Sequence, residues 1–595
     1  MTTTRRRVVL ALGSTALVPL MSGCASTPAT TSADLAFETL AARYLDRSME
    51  LSPISATTIG DHRFDMRIDD VSAAGRAASL AFARETLGAL ERIDRAALSR
   101  PNQVDAAMLE NALRGEIWRT ETLQSWAWNP LGYQSLAGGA IYGLMAREFA
   151  PLPQRLEAAT ARMEQLPQLL AQARTELQLA RIPAPHAETY AQQNPGLKSI
   201  VTDMIEPHKN ALDADKRARL EAAIATFNDA VDEHQAWIES TLVPAAQADF
   251  RVGAEVFDTQ LRYTLQSDLT RADIRRRADA AVESVRAEMY RVAKQALAGR
   301  AGAPEAPDNP TPAQQQAVIR AAMDLAAADR PARDQLVETA TNATEEARQF
   351  VIARDLITLP EGPVRVILMP EFQRGFAVAY CDSPGPLERN LETFYAVSPI
   401  PDDWTEEQTA SFLREYNNRG TLDIAVHEAM PGHYVQIWHS NRYPSTLRAV
   451  LGSGSFVEGW AVYAEEMMVE EGFRADDPLY RLTQLKVQLR TITNSIIDQA
   501  IHVDGMSRDE MMRLLTETAF QEEREAAGKW RRAQLSFTQL STYFVGFQEH
   551  LETRAAAELA WGPAFNLKRY HDGVLSFGSP PARLARQLLL EEPIQ

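Results

Sequence analysis

The sequence predicts a mainly α-helical fold with a small antiparallel β-sheet beside a central cleft. Three observations predict it. Residues 35–298 are rich in Ala, Leu, Glu, Arg and Gln, with apolar residues three and four apart, and the same texture returns from 405 to the end. Residues 364–369, 376–380 and 392–397 are short, β-branched or aromatic, and separated by Pro, Gly, Asp and Ser. Directly after them, residues 421–433 read T-L-D-I-A-V-H-E-A-M-P-G-H, an apolar helical run ending in two histidines and a glutamate.

The chain opens with Arg5, Arg6 and Arg7, an apolar run over 8–21, and Met-Ser-Gly-Cys at 21–24. A basic start, an apolar run too short to span as a helix and a small-residue end predict an export signal over 1–23. The Cys after the small residues resembles a bacterial lipoprotein box, in which Cys24 is lipidated and residues 24–34 form a tether. Residues 4–9 also resemble a twin-arginine export motif, and an uncleaved signal anchor is the plainer alternative. The net charge is -18, and cleavage before Cys24 removes three arginines, leaving the chain more acidic. Such a surface argues against a nucleic-acid partner. Cys381 is the one other cysteine, so core burial rather than an intrachain disulfide stabilises the fold. No other apolar run approaches the ~20 residues of a spanning helix, so membrane attachment is expected only through the lipid on Cys24. An exported, periplasmic or outer-membrane-associated bacterial lipoprotein is the expectation; composition does not specify its oligomeric state.

Taken in order, 35–298 form an N-terminal helical half, whose clearest amphipathic stretches are 156–177 and 274–297. The second opens on Thr270 and Asp273, a capping arrangement. Residues 299–312 are rich in Pro and Gly and predict a surface loop. Residues 313–595 form the half carrying the sheet and the candidate site. Helix is expected over 312–354, followed by the three strands, whose edge would suit an extended peptide as well as it would a purely structural hairpin. Thr405 and Gln408 read as a capping box. A helix follows from Ser455 to Glu471, stopped by Gly472, and Asp477-Pro478 opens a long one to about 503.

The chemistry is concentrated at 427–433. Two imidazoles can bind a metal, and Glu428 beside one of them can take a proton from an attacking water. In the usual H-E-x-x-H spacing the histidines stand one turn apart on one helix face. His427 and His433 stand six apart, which in a straight helix points them to different faces. Pro431 lies between them and disfavours helix at Met430, so a break there is expected to return His433 towards His427. Zinc, Zn2+, with two His ligands needs a third protein ligand and an open position. Glu458, in the apolar and aromatic stretch F-V-E-G-W-A-V-Y-A-E over 456–465, is the candidate. Ser455 and Glu458 also have capping-box spacing, in which case Glu458 holds only its helix start. Glu465, two turns on, could orient a ligand imidazole or be a solvated helix charge.

H-E-A-M-P-G-H-Y-V-Q over 427–436, followed by the Glu458 segment, resembles the bacterial domain-of-unknown-function 885 family. Residues 51–61, 498–502, 539–546 and 571–580 resemble further segments of it, and Tyr434 stands where another His is often found. That family looks like a distant relative of large helical zinc metallopeptidases such as thermostable carboxypeptidases, oligopeptidases and angiotensin-converting-enzyme-like proteins. The resemblance implies zinc on His427, His433 and Glu458 and Glu428 as general base, and so settles chemistry better than substrate; by analogy of fold, a deep helical cleft suits short or unfolded peptides, whose hydrolysis is the expected activity. A peptidase also needs a group to stabilise its oxyanion. Tyr543, His571 and His502 lie in the resembling segments and are the candidates. Tyr543 and His571 could equally be packing residues, and Asp498 with His502 an ordinary helix-surface pair. Hydrolysis of a cell-wall peptide link, or a catalytically silent binding lipoprotein, are the other readings; Glu428 speaks for an enzyme, since a scaffold has no use for a base.

Overall fold

A computed structural model describes residues 31–374, 378–388 and 390–595. The predicted signal segment and Cys24 lie outside them, as does part of the second predicted strand. Helix α1 (Ser32–Leu51) starts on a reciprocal capping box between Thr31 and Asp34, so regular structure begins within the stretch predicted as tether. Among the described residues no helix is long and apolar enough to cross a membrane.

The predicted amphipathic stretches are α2 (Leu152–Glu176) and α3 (Arg271–Leu297), the latter opening on the Thr270–Asp273 capping box. The Pro/Gly-rich stretch connects α3 to α4 (Pro312–Ala327), and both helices bury apolar faces in one cluster. The helix expected over 312–354 is two, because the chain turns between α4 and α5 (Leu336–Arg354).

The sheet corrects its predicted direction. Strands β1 (Val364–Leu368), β2 (Ala379–Asp382) and β3 (Thr393–Val397) lie in the order β1-β3-β2. β2 runs antiparallel to β3, with Ala379 opposite Val397, but β1 is parallel to it, with Val364 opposite Thr393. The sheet is therefore mixed. Its middle strand, β3, returns alongside β1 in the same direction after the chain reverses through β2, and it is the most buried of the three.

Helix α6 (Glu406–Glu415) opens on the predicted Thr405–Gln408 box. It leads into α7 (Asn418–Glu428) and α8 (His433–Ser440), then α9 (Gly454–Glu470) and α10 (Pro478–Gln499). The last layer is α11 (Glu523–Leu535), α12 (Leu540–Trp561) and α13 (Leu567–Leu575). The apolar stripe Leu422, Ala425, Val426 and Ala429 buries α7 against α5, α9 and the sheet in one core. α10 joins that region to the α3–α4 core through Leu482, Leu485 and Leu489.

A buried ion pair ties the early helices to the site half. Arg448 Nε donates to Asp105 Oδ1 at 2.5 Å, and its other nitrogens donate to the Pro101 and Phe577 carbonyls. Burial pushes the Asp105 carboxyl up in spite of the guanidinium, so desolvation outweighs the pair's attraction. The cost falls on whichever partner is left alone. Asp105→Ala strands the Arg448 charge and is expected to lower unfolding free energy by about 3–5 kcal/mol, read from the denaturant midpoint.

Candidate metal centre

α7 is capped by Asn417, whose side chain accepts from the Arg419 and Gly420 amides. Its regular hydrogen bonding ends at Glu428. Met430 N then donates to Ala425 O and Gly432 N to Val426 O, and the Met430–Pro431 peptide is cis. This tight loop replaces the turn that a straight helix would make. It also explains Gly432, where a Cβ would lie 1.9 Å from the His427 carbonyl oxygen. Trp460 Nε1 donates to Pro431 O at 3.0 Å and pins the loop to α9. α8 begins at His433, and the two imidazoles stand edge to face with centroids 4.7 Å apart.

Glu458 arrives from α9. The capping alternative is not realised: Ser453 is the N-cap, accepting from Phe456 N, and the helix is already under way at Ser455. Glu458 Oε2 lies 3.3 Å from His433 Nε2 and 3.7 Å from His427 Nε2. The three side chains each bring one ligand atom within 4.8 Å of the others. Burial pushes the Glu458 carboxyl up, but the two facing imidazoles outweigh it and hold it well below the ordinary carboxylate range.

α9 and α12 cross in near contact at Gly459 and Gly546. A Cβ on Gly546 would meet the Ser455 carbonyl oxygen at 1.9 Å, so only glycine allows this approach. The crossing sets Tyr543 of α12 beside Glu458. Its ring stacks on His427 with centroids 6.3 Å apart. Arg532 Nη2 donates to the Tyr543 oxygen at 3.0 Å and Gln539 Nε2 at 3.3 Å, while Gln539 Nε2 also reaches Glu458 Oε1 at 3.5 Å. With two donors on its oxygen, the phenol keeps its own proton free to donate into the cleft.

Glu465 is buried, and its Oε1 lies 2.6 Å from His427 Nδ1. That contact holds the proton on Nδ1, so Nε2, which faces Glu458 and His433, is the nitrogen that a metal could take once its own proton is lost. Burial pushes the Glu465 carboxyl up, with His427 opposing; the nearby Asp423 carboxyl, itself driven up by burial, accepts from Tyr480. Glu465 is thus no solvated charge. If the His427–His433–Glu458 cluster holds zinc, Glu465→Ala is expected to weaken its binding by about 10–100-fold, measured by competition with a chromophoric chelator.

Glu428 lines the same cavity of about 900 Å³ as His427, His433, Glu458 and Tyr543, and so do residues of β2 and α11. Its carboxylate makes no hydrogen bond among the described residues, leaving it available to a molecule in the cavity.

Two candidates lie elsewhere. His571 is fully buried, its Nδ1 against Leu356 O and its Nε2 against the Tyr463 hydroxyl, both at 2.8 Å; burial lowers its pKa to about 4. Both ring nitrogens are used, behind the α9 face that carries Trp460. His502 lies on the turn after α10, 2.7 Å from Ala533 O among Phe250, Phe257 and Phe537. Neither borders the cavity, so both are packing residues. Asp498 is not paired with His502 on a helix surface. It is buried, and it accepts from Thr538 N, Ser541 N and Ser541 Oγ, which anchors the start of α12. Gln539 and Arg532, which the sequence reading did not single out, carry no spacing signature: Gln539 stands at the start of α12 and Arg532 reaches Tyr543 from α11.

Among solved structures, the chain is similar to a "putative lipoprotein of unknown function" from Shewanella oneidensis. They share 31% identity with a TM-score of 0.76, over 93% of this chain and 99% of that one. A "putative lipoprotein" from Colwellia psychrerythraea matches over the same shares at 16% identity and a TM-score of 0.75, a likeness of fold. No curated protein matches. Residues 53–589 match the family described as "Bacterial protein of unknown function (DUF885)", and the chain belongs to that family.

Proposed function

We propose that this protein is a zinc-dependent peptidase of short or unfolded peptides, exported as a lipoprotein anchored through Cys24. One observation carries the reading: His427, His433 and Glu458 converge from three helices with Glu428 beside them on one cavity. The donor set of two imidazoles and a carboxylate is that of a hydrolytic zinc site, and Glu458 Oε2 is buried without a hydrogen-bond partner. The lipoprotein description of the Shewanella relative supports the anchor.

Zinc bound there would polarise the scissile carbonyl and acidify water. Glu428 takes the proton of the attacking water and passes it to the leaving amine. Tyr543, its oxygen held by Arg532 and Gln539, donates a hydrogen bond to the oxyanion that develops on the carbonyl. Glu465 keeps His427 in the tautomer that presents Nε2. The edge strand β2 contributes Ala379, Tyr380 and Cys381 to the cavity wall, where an extended substrate can pair its backbone. The test is a digest of mixed short peptides read by mass spectrometry, with zinc and after chelation. Zinc-dependent cleavage is expected, with product lengths separating exo- from endopeptidase action. Intact peptides in the zinc-loaded sample would overturn the reading.

A further inference from the structure

The cavity wall also carries positive charge, of which only Arg532 has a part in the proposed chemistry. α10 contributes Arg490, and α11 contributes Lys529 and, nearly one turn on, Arg532. Lys529 is only 4% exposed. Its ammonium makes no hydrogen bond among the described residues and has one ion pair, to Glu525 Oε1 at 3.6 Å. That oxygen is shared with Arg490 Nε at 3.5 Å, and the other oxygen of Glu525 accepts from Tyr416 at 2.6 Å. Among the described residues Glu525 is thus the one ion-pair partner of Lys529, and it is already divided between Lys529, Arg490 and Tyr416. A buried cation without its full set of acceptors is costly, and an anion entering from the cavity would supply them. Burial pushes the Lys529 ammonium down to about 7, Arg490 and Arg532 push the same way, and Glu525 opposes them. Both guanidiniums thus disfavour the charge on Lys529.

We propose that Lys529, with Arg490 and Arg532, forms a subsite for a carboxylate of the substrate, either the peptide's C-terminal carboxylate or an acidic side chain. The inference rests on the peptidase reading for its ligand class. Arg532 links the two regions, since it also holds Tyr543. A peptide running from the zinc ligands along the cavity would place its carboxylate against α11.

The test is equilibrium binding, by fluorescence anisotropy, to the chain carrying Glu428→Gln, so that bound peptide is not consumed. The probes are N-terminally labelled tetra-alanine as free acid and as amide, and amidated Ala-Ala-Glu-Ala and Ala-Ala-Gln-Ala. At least about tenfold tighter binding is expected for the free acid over its amide, or for the Glu peptide over the Gln peptide. The pair that shows the preference identifies which carboxylate is read. Lys529→Met should abolish the preference and Lys529→Arg retain it. Equal binding within both pairs by the chain with Lys529 intact overturns the proposal without relying on a variant's folding, and so does a preference that survives in a folded Lys529→Met. Failure of the zinc-loaded protein with Glu428 intact to cut any peptide would sink the peptidase reading while leaving this binding comparison interpretable.

Discussion

Glu428→Gln is expected to lower peptide hydrolysis by about 10²–10⁴-fold while zinc content stays at the wild-type level. Glutamine keeps the size and polarity of the side chain but cannot take the water's proton. Glu428 is not one of the three converging ligand groups, so the metal should remain. The loss should appear in kcat more than in KM, because the proton is moved in the transition state rather than in the bound complex. Paired kinetics and metal analysis on the same preparation check this. Unchanged activity would remove Glu428 from the mechanism.

Glu458→Ala removes a proposed ligand rather than the proposed base, and the two substitutions should separate cleanly. Zinc affinity is expected to fall by at least about 100-fold, more than the loss typical of an outer partner such as Glu465, with activity falling in parallel. The substitution also leaves His427 and His433 facing each other without the carboxylate between them. Excess zinc should therefore restore part of the activity, which it cannot do for Glu428→Gln. Full zinc occupancy in Glu458→Ala at stoichiometric metal would show that another residue completes the site.

Much of the site was legible because its parts are local or carry unusual chemistry. His427, Glu428 and His433 lie within one short segment, and Pro431 marks where regular helix must stop. Glu458 stood out as a carboxylate among aromatic and apolar neighbours, and the helix cap at Ser453 frees it for the cleft. The predicted capping boxes at Thr270 and Thr405 follow from side chains meeting backbone three residues away. Long-range placement was less legible. The direction of β1 relative to β3 depends on strand order, which alternation of residues does not encode. His571 and His502 read as polar candidates because a buried imidazole bonded to a backbone carbonyl looks, in sequence, the same as one facing a cleft. Arg532, Gln539 and Lys529 reach the cavity through the packing of α11 and the start of α12, which no residue spacing encodes.

The most direct measurement is an anomalous difference map at the zinc absorption edge from crystals of the zinc-loaded protein. The expected result is one strong peak about 2.0–2.2 Å from His427 Nε2, His433 Nε2 and a Glu458 carboxylate oxygen, with Glu465 still on His427 Nδ1. No peak there, or a peak held by other side chains, would contradict the central claim.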